Sequence, residues 1–475
     1  MLAQDEAEEP VVGSDEEVRA GLQGEAAARR SDAGVDHRHE DGSRGERAAG
    51  GVEGQGTREH VVRRHFVGEV DEGGLRADRQ DRALHGSRVR VHGAKVGQQC
   101  HDAGHLPILA PRVAGITDGE HTMSASDRLP VPAFYDPENA RRWSYRPDPQ
   151  ALFEEAGRWR SRHALSPSSG DRRKVHLLLV DAQKDFCFPE GTLYVGGRSG
   201  TGAMDDNDRI ARFVYRNLAR LTDVTCTLDT HYPFQIFFPS FWLHRDGAAL
   251  TPHREITTEA VRSGRVKPNP AVAAWVAGGD YEWLRRQAEF YCAELERAGK
   301  YTLYLWPPHC LLGGEGHLLA GVVQEARLFH AFARMSPARL EPKGSHPLTE
   351  NYSVLSPEVL RRHDGGVLAE RNRAFLETLL EADVLVIAGQ AASHCVKSTI
   401  EDLLEEIRAR DASRARRIYV LRDGMSSVVV PDPARPGQLL FDFTPQAEAA
   451  LERFAAAGMH LVSSADSMDC WPGVE

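Results

Sequence analysis

The sequence predicts a three-layer α/β fold, a mostly parallel sheet of about six strands flanked by helices. Three observations predict it. Short apolar runs alternate with stretches of helical spacing, the pattern of parallel strands joined by helical crossovers. The runs are apolar throughout rather than every second residue, as strands covered on both faces require. Chemistry-bearing residues also stand where the runs end, at Asp181, at Asp229 and just before Cys395. In such sheets ligands bind beyond the carboxyl ends of the strands.

The first 122 residues lie outside this pattern. They contain no Trp and no Tyr, one Phe (Phe66) and one Lys (Lys95), and are crowded with Arg, Gly, Asp, Glu and His. Such text cannot bury enough apolar surface to offset chain entropy. Residues 1–122 are therefore expected to be disordered, their histidines scattered rather than metal-binding. Met123 opens MSASDRLPVPAFYDPENARRW, which reads like the start of a protein. The expectation is that Met123 is the true start and the preceding stretch a spurious extension.

Residues 123–172 are rich in Pro, Ser and Arg and are expected to wrap the domain with short helical pieces. The rhythm then begins, and a single domain is expected over 173–465, with a short tail at 466–475. VHLLLVD (175–181) reads as a buried strand and DNDRIARFVYRNLARL (206–221) as a helix. DVTCTLD (223–229) is a second strand. After a long interval, YEWLRRQAEFYCAELERAGK (281–300) is helical, with Gly299 as its stop. YTLYLW (301–306) reads as a strand, 315–333 as a helix, and ARLEP as a short strand. A helix over NRAFLETLLEA, a strand over 383–389, a helix over 393–410, a strand over 417–424, a helix over TPQAEAALERFAAAG and a strand at MHLVSS complete the series.

Composition narrows the function. A net charge of −11 argues against non-specific nucleic-acid binding. No stretch approaches the roughly 18–20 apolar residues of a membrane span. MLAQDEAEEP lacks the basic and apolar regions of a secretory signal. Seven scattered cysteines, an odd number without a CxxC pair, suggest reduced thiols. A cytoplasmic protein without nucleic-acid or membrane partners is expected.

The strongest local signal is VLVIAGQAASHCVKSTIEDL (384–403), where a strand runs through small residues into a helix opened by Cys395. A thiol at a helix N-terminus loses its proton more easily. Small residues let backbone N–H groups approach a substrate oxygen. The plainer account is a buried structural thiol. LDTHYPF and WPPHC form a second constellation. Asp229, His231 and His309, each past a strand, could converge on one divalent ion with open positions, Zn²⁺ or Fe²⁺. Alone, each is an ordinary loop residue. Lys343, in EPKGSHPLTENYSV, could hold a thiolate or carboxylate ionised at the same edge, or could be a solvated surface lysine.

Together these motifs resemble the nicotinamidase/isochorismatase-like cysteine hydrolases, and among them the metal-dependent nicotinamidases. The resemblance spans roughly residues 173–465 and rests on LLLVDAQKDFCFPEGTLYVGG, TCTLDTH, LWPPHCLLGGEG, PKG with ENYS behind it, VIAGQAASHCVKSTIEDL and DFTPQAEAALERFAAAG. It implies an isochorismatase-like hydrolase fold and a triad of Asp181 (base and proton shuttle), Lys343 and Cys395 (nucleophile). It implies a cis peptide at Gln390–Ala391 and an oxyanion hole from the N–H groups of Ala391 and Cys395. It implies Asp229, His231 and His309 as ligands of a divalent metal, zinc first, with iron or manganese as alternatives. Phe186, Trp306 and Tyr352 would line the substrate pocket. The implied reaction is hydrolysis of nicotinamide, or a related small heteroaromatic amide, to acid and ammonia. A homo-oligomer is a further expectation from the family.

The chain departs from the family in three places. In DAQKDF the Asn common two residues before the second acid is missing, and Lys184 stands directly before Asp185. An insertion of about 232–300 contains the aromatic QIFFPSFW, read as added core ahead of a lid or subunit contact. Where some relatives carry a further metal histidine stands Phe237, leaving three protein ligands, with His244 and His253 as weak stand-ins. Two other readings stay open: a metal-independent amide or carbamoyl hydrolase of the same superfamily, and a non-catalytic binding protein on this fold.

Overall fold

The computed structural model describes residues 128–474 apart from Pro433. The expectations for residues 1–122 lie outside the described residues. The central sheet has six strands, all parallel: β1 (Val175–Val180), β2 (Asp223–Asp229), β3 (Leu340–Lys343), β4 (Val384–Gly389), β5 (Ile418–Leu421) and β6 (His460–Val462), in the order β6-β5-β4-β1-β2-β3. This is the predicted three-layer α/β fold. The order reverses between β1 and β4, so a crevice opens beyond their carboxyl ends.

Every residue of β1 and β4 is buried. Their side chains alternate between two cores, which explains the unbroken apolar runs. Leu177 and Leu179 pack in one core with the helices α2 (Gly202–Arg216) and α4 (Gly321–Arg334). Leu178 and Val180 pack in the other with α5 (Arg373–Leu380), α6 (Cys395–Arg410) and α7 (Thr444–Ala456). A further helix, α3 (Tyr281–Arg297), belongs to the insertion.

Three expectations need correcting in detail. The 301–306 strand exists as Leu303–Leu305 but stands outside the central sheet. It pairs antiparallel with Arg254–Ile256 of the insertion, and the edge beside β2 goes to β3. The helix expected over 315–333 is split. Lys184 N–H donates to Leu318 O (2.8 Å) and Ala320 N–H to Ala182 O (2.9 Å), tying 318–320 to the loop after β1. Only from Gly321 does the α-helix run. The wrapping segment holds one full helix, α1 (Pro149–Arg162), longer than the short pieces expected. Asp148 caps it, accepting from the N–H of Gln150 (2.9 Å), and Leu152, Ala156 and Trp159 bury its inner face.

The tail also joins the core. Trp471 is buried and stacks on Phe213 and Tyr419, with ring centroids 5.8 and 5.3 Å apart. Within the insertion, Ile236, Phe238, Phe241 and Trp242 are fully buried, in agreement with the added-core reading.

Candidate active site

β1 ends on a carboxylate because that carboxylate is built into the crevice. Asp181 follows Val180 with φ of +44°, a left-handed conformation uncommon outside glycine. It is fully buried, and its N–H donates to Thr227 Oγ1 (3.0 Å), whose hydroxyl donates to Asp181 Oδ1 (2.5 Å). Gln183 clamps the neighbouring strand end: its Nε2 donates to Asp229 O (2.8 Å) and its Oε1 accepts from Asp229 N–H (2.7 Å). Both carboxylates are thereby held at one edge.

Lys343, the last residue of β3, lies opposite Asp229 in the register. Its Nζ is 2.9 Å from Asp181 Oδ2, 2.9 Å from Asp229 Oδ1 and 2.9 Å from the Asn351 carbonyl. The ammonium donates hydrogen bonds to Asp229 Oδ1, the Asn351 carbonyl and Cys395 Sγ, and pairs with Asp181 Oδ2 by charge. Cys395 Sγ sits 3.6 Å away, at the first position of α6. Ligand atoms of Asp181, Asp229 and Cys395 all lie within 4.8 Å of one another.

The electrostatics follow from burial and from this arrangement. Burial works against the lysine's charge, but the carboxylates of Asp181 and Asp229 overcome it and hold Lys343 protonated. Burial pushes Asp181 up despite the opposing Lys343 charge. Burial likewise pushes the Cys395 thiol up, against Lys343. Asp229 is held well below the usual range: burial opposes this, but His231 and Lys343 prevail. The ground state is thus a neutral thiol beside a carboxylate that readily takes a proton.

β4 runs into the second half of the crevice. Gly389 has φ of +113°, and a Cβ there would stand 2.1 Å from Val180 O, so only glycine lets the two strand ends meet. The Gln390–Ala391 peptide is cis. Among the described residues, neither the Ala391 N–H nor the Cys395 N–H has an acceptor in the protein. Both residues line the cavity.

Asp229, His231 and His309 also come together, with ligand atoms within 4.8 Å of one another. His231 Nδ1 lies 3.0 Å from Gly344 O and His309 Nδ1 2.8 Å from Pro307 O, which leaves both Nε2 atoms for Asp229 Oδ2, at 2.9 and 3.6 Å. His231 Nε2 is buried without an aligned hydrogen-bond partner among the described residues. Two imidazoles backed by carbonyls and one carboxylate fit a divalent ion. Gly344 makes room: a Cβ there would meet His231 Cε1 at 2.7 Å. Neither His244 nor His253 joins the group. Phe237 packs edge-on against His231 (centroids 4.9 Å apart) and Phe238 against both His231 and His309.

The cavity at this site has a free volume of about 40 Å³. Phe186, Trp306 and Tyr352 line it as expected, together with His394 and Glu350, which the sequence reading did not single out. Glu350 anchors a buried relay. Trp306 Nε1–H donates to Tyr352 Oη (2.7 Å), and Tyr352, Tyr301 and Tyr291 hydroxyls donate to the Glu350 carboxylate (2.8, 2.9 and 3.0 Å). Tyr291 comes from α3, so the insertion braces the pocket wall. Nothing in the local sequence ENYS tells that its glutamate is buried.

No family model and no curated protein matches this chain. The solved structures it is similar to include nicotinamidases, pyrazinamidases and an isochorismatase-like hydrolase. The Acinetobacter baumannii nicotinamidase/pyrazinamidase is 16% identical, with 62% of this chain and 98% of that chain covered at a TM-score of 0.36. The yeast nicotinamidase Pnc1p bound to the inhibitor nicotinaldehyde is 18% identical, with 61% and 99% covered and a TM-score of 0.36. The pyrazinamidase of Pyrococcus horikoshii in complex with zinc is 16% identical, with 61% and 99% covered and a TM-score of 0.31.

Proposed function

We propose that this protein is a cysteine-nucleophile amidohydrolase acting on nicotinamide or a similar small heteroaromatic amide. The observation that carries the reading is the buried Lys343 ammonium, paired with both carboxylates with the Cys395 thiol 3.6 Å away. A solvated surface lysine or a structural thiol would not need this arrangement, whose buried charges are costly.

The substrate ring lies between Phe186, Trp306 and Tyr352, its carbonyl toward the Ala391 and Cys395 N–H groups. Asp181 takes the Cys395 proton as the sulfur attacks, forming the C–S bond and moving the carbonyl electrons onto oxygen. The two N–H groups stabilise that charge. Asp181 gives the proton to the amine, the C–N bond breaks and ammonia leaves. Asp181 then takes a proton from water, whose oxygen attacks the thioester carbon; the C–S bond breaks as the acid forms, and Asp181 returns the proton to the Cys395 sulfur. Lys343 keeps both carboxylates ionised when their protons are elsewhere. Asp229, His231 and His309 would hold a divalent metal, zinc first, which when bound supplies an electrophilic anchor for a ring nitrogen. This donor set favours the reading over a metal-independent hydrolase.

The test is ammonia release from nicotinamide by the purified full chain, beside Cys395→Ala, with bound metal measured on the same samples. The expected result is release that Cys395→Ala lowers by at least about 10³-fold, with near one metal per chain in both. Nicotinaldehyde should inhibit by adding the Cys395 thiol across its carbonyl. Equal release by both proteins, or none by the wild type, would overturn the reading.

A further inference from the structure

The oxyanion hole depends on where the Ala391 N–H points, and the residues around Ala391 are tied to one buried carboxylate outside the cavity. Asp206 lies on the inner face of α2 and is 2% exposed. Its Oδ2 accepts from Gln390 Nε2 (2.9 Å) and from Ser426 Oγ (2.6 Å), and its Oδ1 faces Arg209 Nη1 (3.2 Å). Gln390 is itself buried. Its Oε1 accepts from Ser426 N–H (3.3 Å), and its N–H donates to Val180 O (2.7 Å). On the other side, Ala392 N–H donates to Ser426 O (2.8 Å). Ala391 is thus held from both neighbours through Ser426 and Asp206. The fit is close: a Cβ on Gly202, the first residue of α2, would lie 2.4 Å from Ser426 Oγ.

We infer that Asp206 is a positioning residue: it holds Gln390 and Ser426, and through them aims the Ala391 N–H at the reacting carbonyl oxygen. The inference rests on the amidohydrolase reading. Stability alone gives little reason for this carboxylate, since a buried charge costs free energy that an apolar side chain of similar size would not. Burial pushes it up to about 6, so near pH 7 it is mostly ionised and accepts hydrogen bonds. Its bonds converge on the two residues that flank Ala391.

The experiment compares wild type, Asp206→Ala, Asp206→Asn and Ser426→Ala by three readouts. These are kcat and KM for nicotinamide, affinity for nicotinaldehyde, and the rate at which iodoacetamide alkylates Cys395. Alkylation displaces iodide from a saturated carbon and forms no oxyanion, so it reports the thiol and the fold without the hole. The expected result for Asp206→Ala and Ser426→Ala is a kcat roughly 10–100-fold lower, KM within about twofold, aldehyde affinity lowered in step with kcat, and alkylation unchanged. Asp206→Asn, which still offers an acceptor oxygen, should recover much of kcat. Unchanged kcat, or kcat and alkylation falling together in all three variants, would overturn the inference. A wild type that is alkylated but neither releases ammonia nor binds the aldehyde would overturn the amidohydrolase reading, and this inference with it. A fully active wild type with fully active variants would overturn the inference alone.

Discussion

Lys343 is the residue on which the charge balance of the site turns. It is the only cation paired with both Asp181 and Asp229 among the described residues. Replacing it by Met leaves two buried carboxylates without that cation, and removing one partner of a buried ion pair costs about 3–5 kcal/mol. Lys343→Met should lower the urea midpoint accordingly and abolish ammonia release; an unchanged midpoint would contradict the charge arrangement. Glu350 gives a pH signature of its own. Burial pushes its carboxyl up to about 8. The protonated form is therefore favoured by folding, and its stabilisation is present at low pH and lost as pH rises. Between the ordinary glutamate value and about 8 the loss is roughly 1.4 kcal/mol per pH unit. Glu350→Gln should thus gain stability relative to wild type as the pH rises from 6 to 8, with the difference level above that. Urea titrations of both proteins at four pH values would read it, and a difference flat from pH 6 to 8 would refute it.

At the scale of elements, strand ends and their turns carry the chemistry. β1 and β4 meet only because Gly389 has no side chain, so Gly389→Ala must push Val180 away or distort its own backbone. A loss of at least about 3 kcal/mol is expected, together with lost activity; a folded, active variant by circular dichroism and ammonia release would refute the close approach. The apolar runs of β1 and β4 were legible because both of their faces are covered. So was Cys395 at the head of α6, since a strand, small residues and a helix lie consecutively in the chain. The place of 301–306 was not legible. Whether a short apolar strand joins the central sheet depends on which partner it pairs with in the fold, and here that is Arg254–Ile256, far away in sequence. The Glu350 relay was hidden for the same reason: Tyr291, Tyr301 and Tyr352 are spread along the chain, and only folding brings their hydroxyls to one carboxylate.

For the whole molecule, the proposed metal site of Asp229, His231 and His309 would couple metal binding to folding. Asp229 ends β2, His231 follows it, and His309 arrives from beyond the insertion after Leu303–Leu305. An unfolded chain keeps His309 far from Asp229 and His231, so an ion that bridges all three favours the folded state strongly. Binding then stabilises by about 2.7 kcal/mol when free metal is a hundredfold above its dissociation constant. A chelator should therefore lower the thermal midpoint of the wild type, and added zinc should restore it. His309→Ala removes one donor while leaving the triad untouched; its midpoint should respond far less to either treatment. The measurement needs no substrate, so it tests the metal site apart from the reaction. Equal chelator responses in the two proteins would mean that these residues do not hold the ion, and that the buried His231 Nε2 needs another partner.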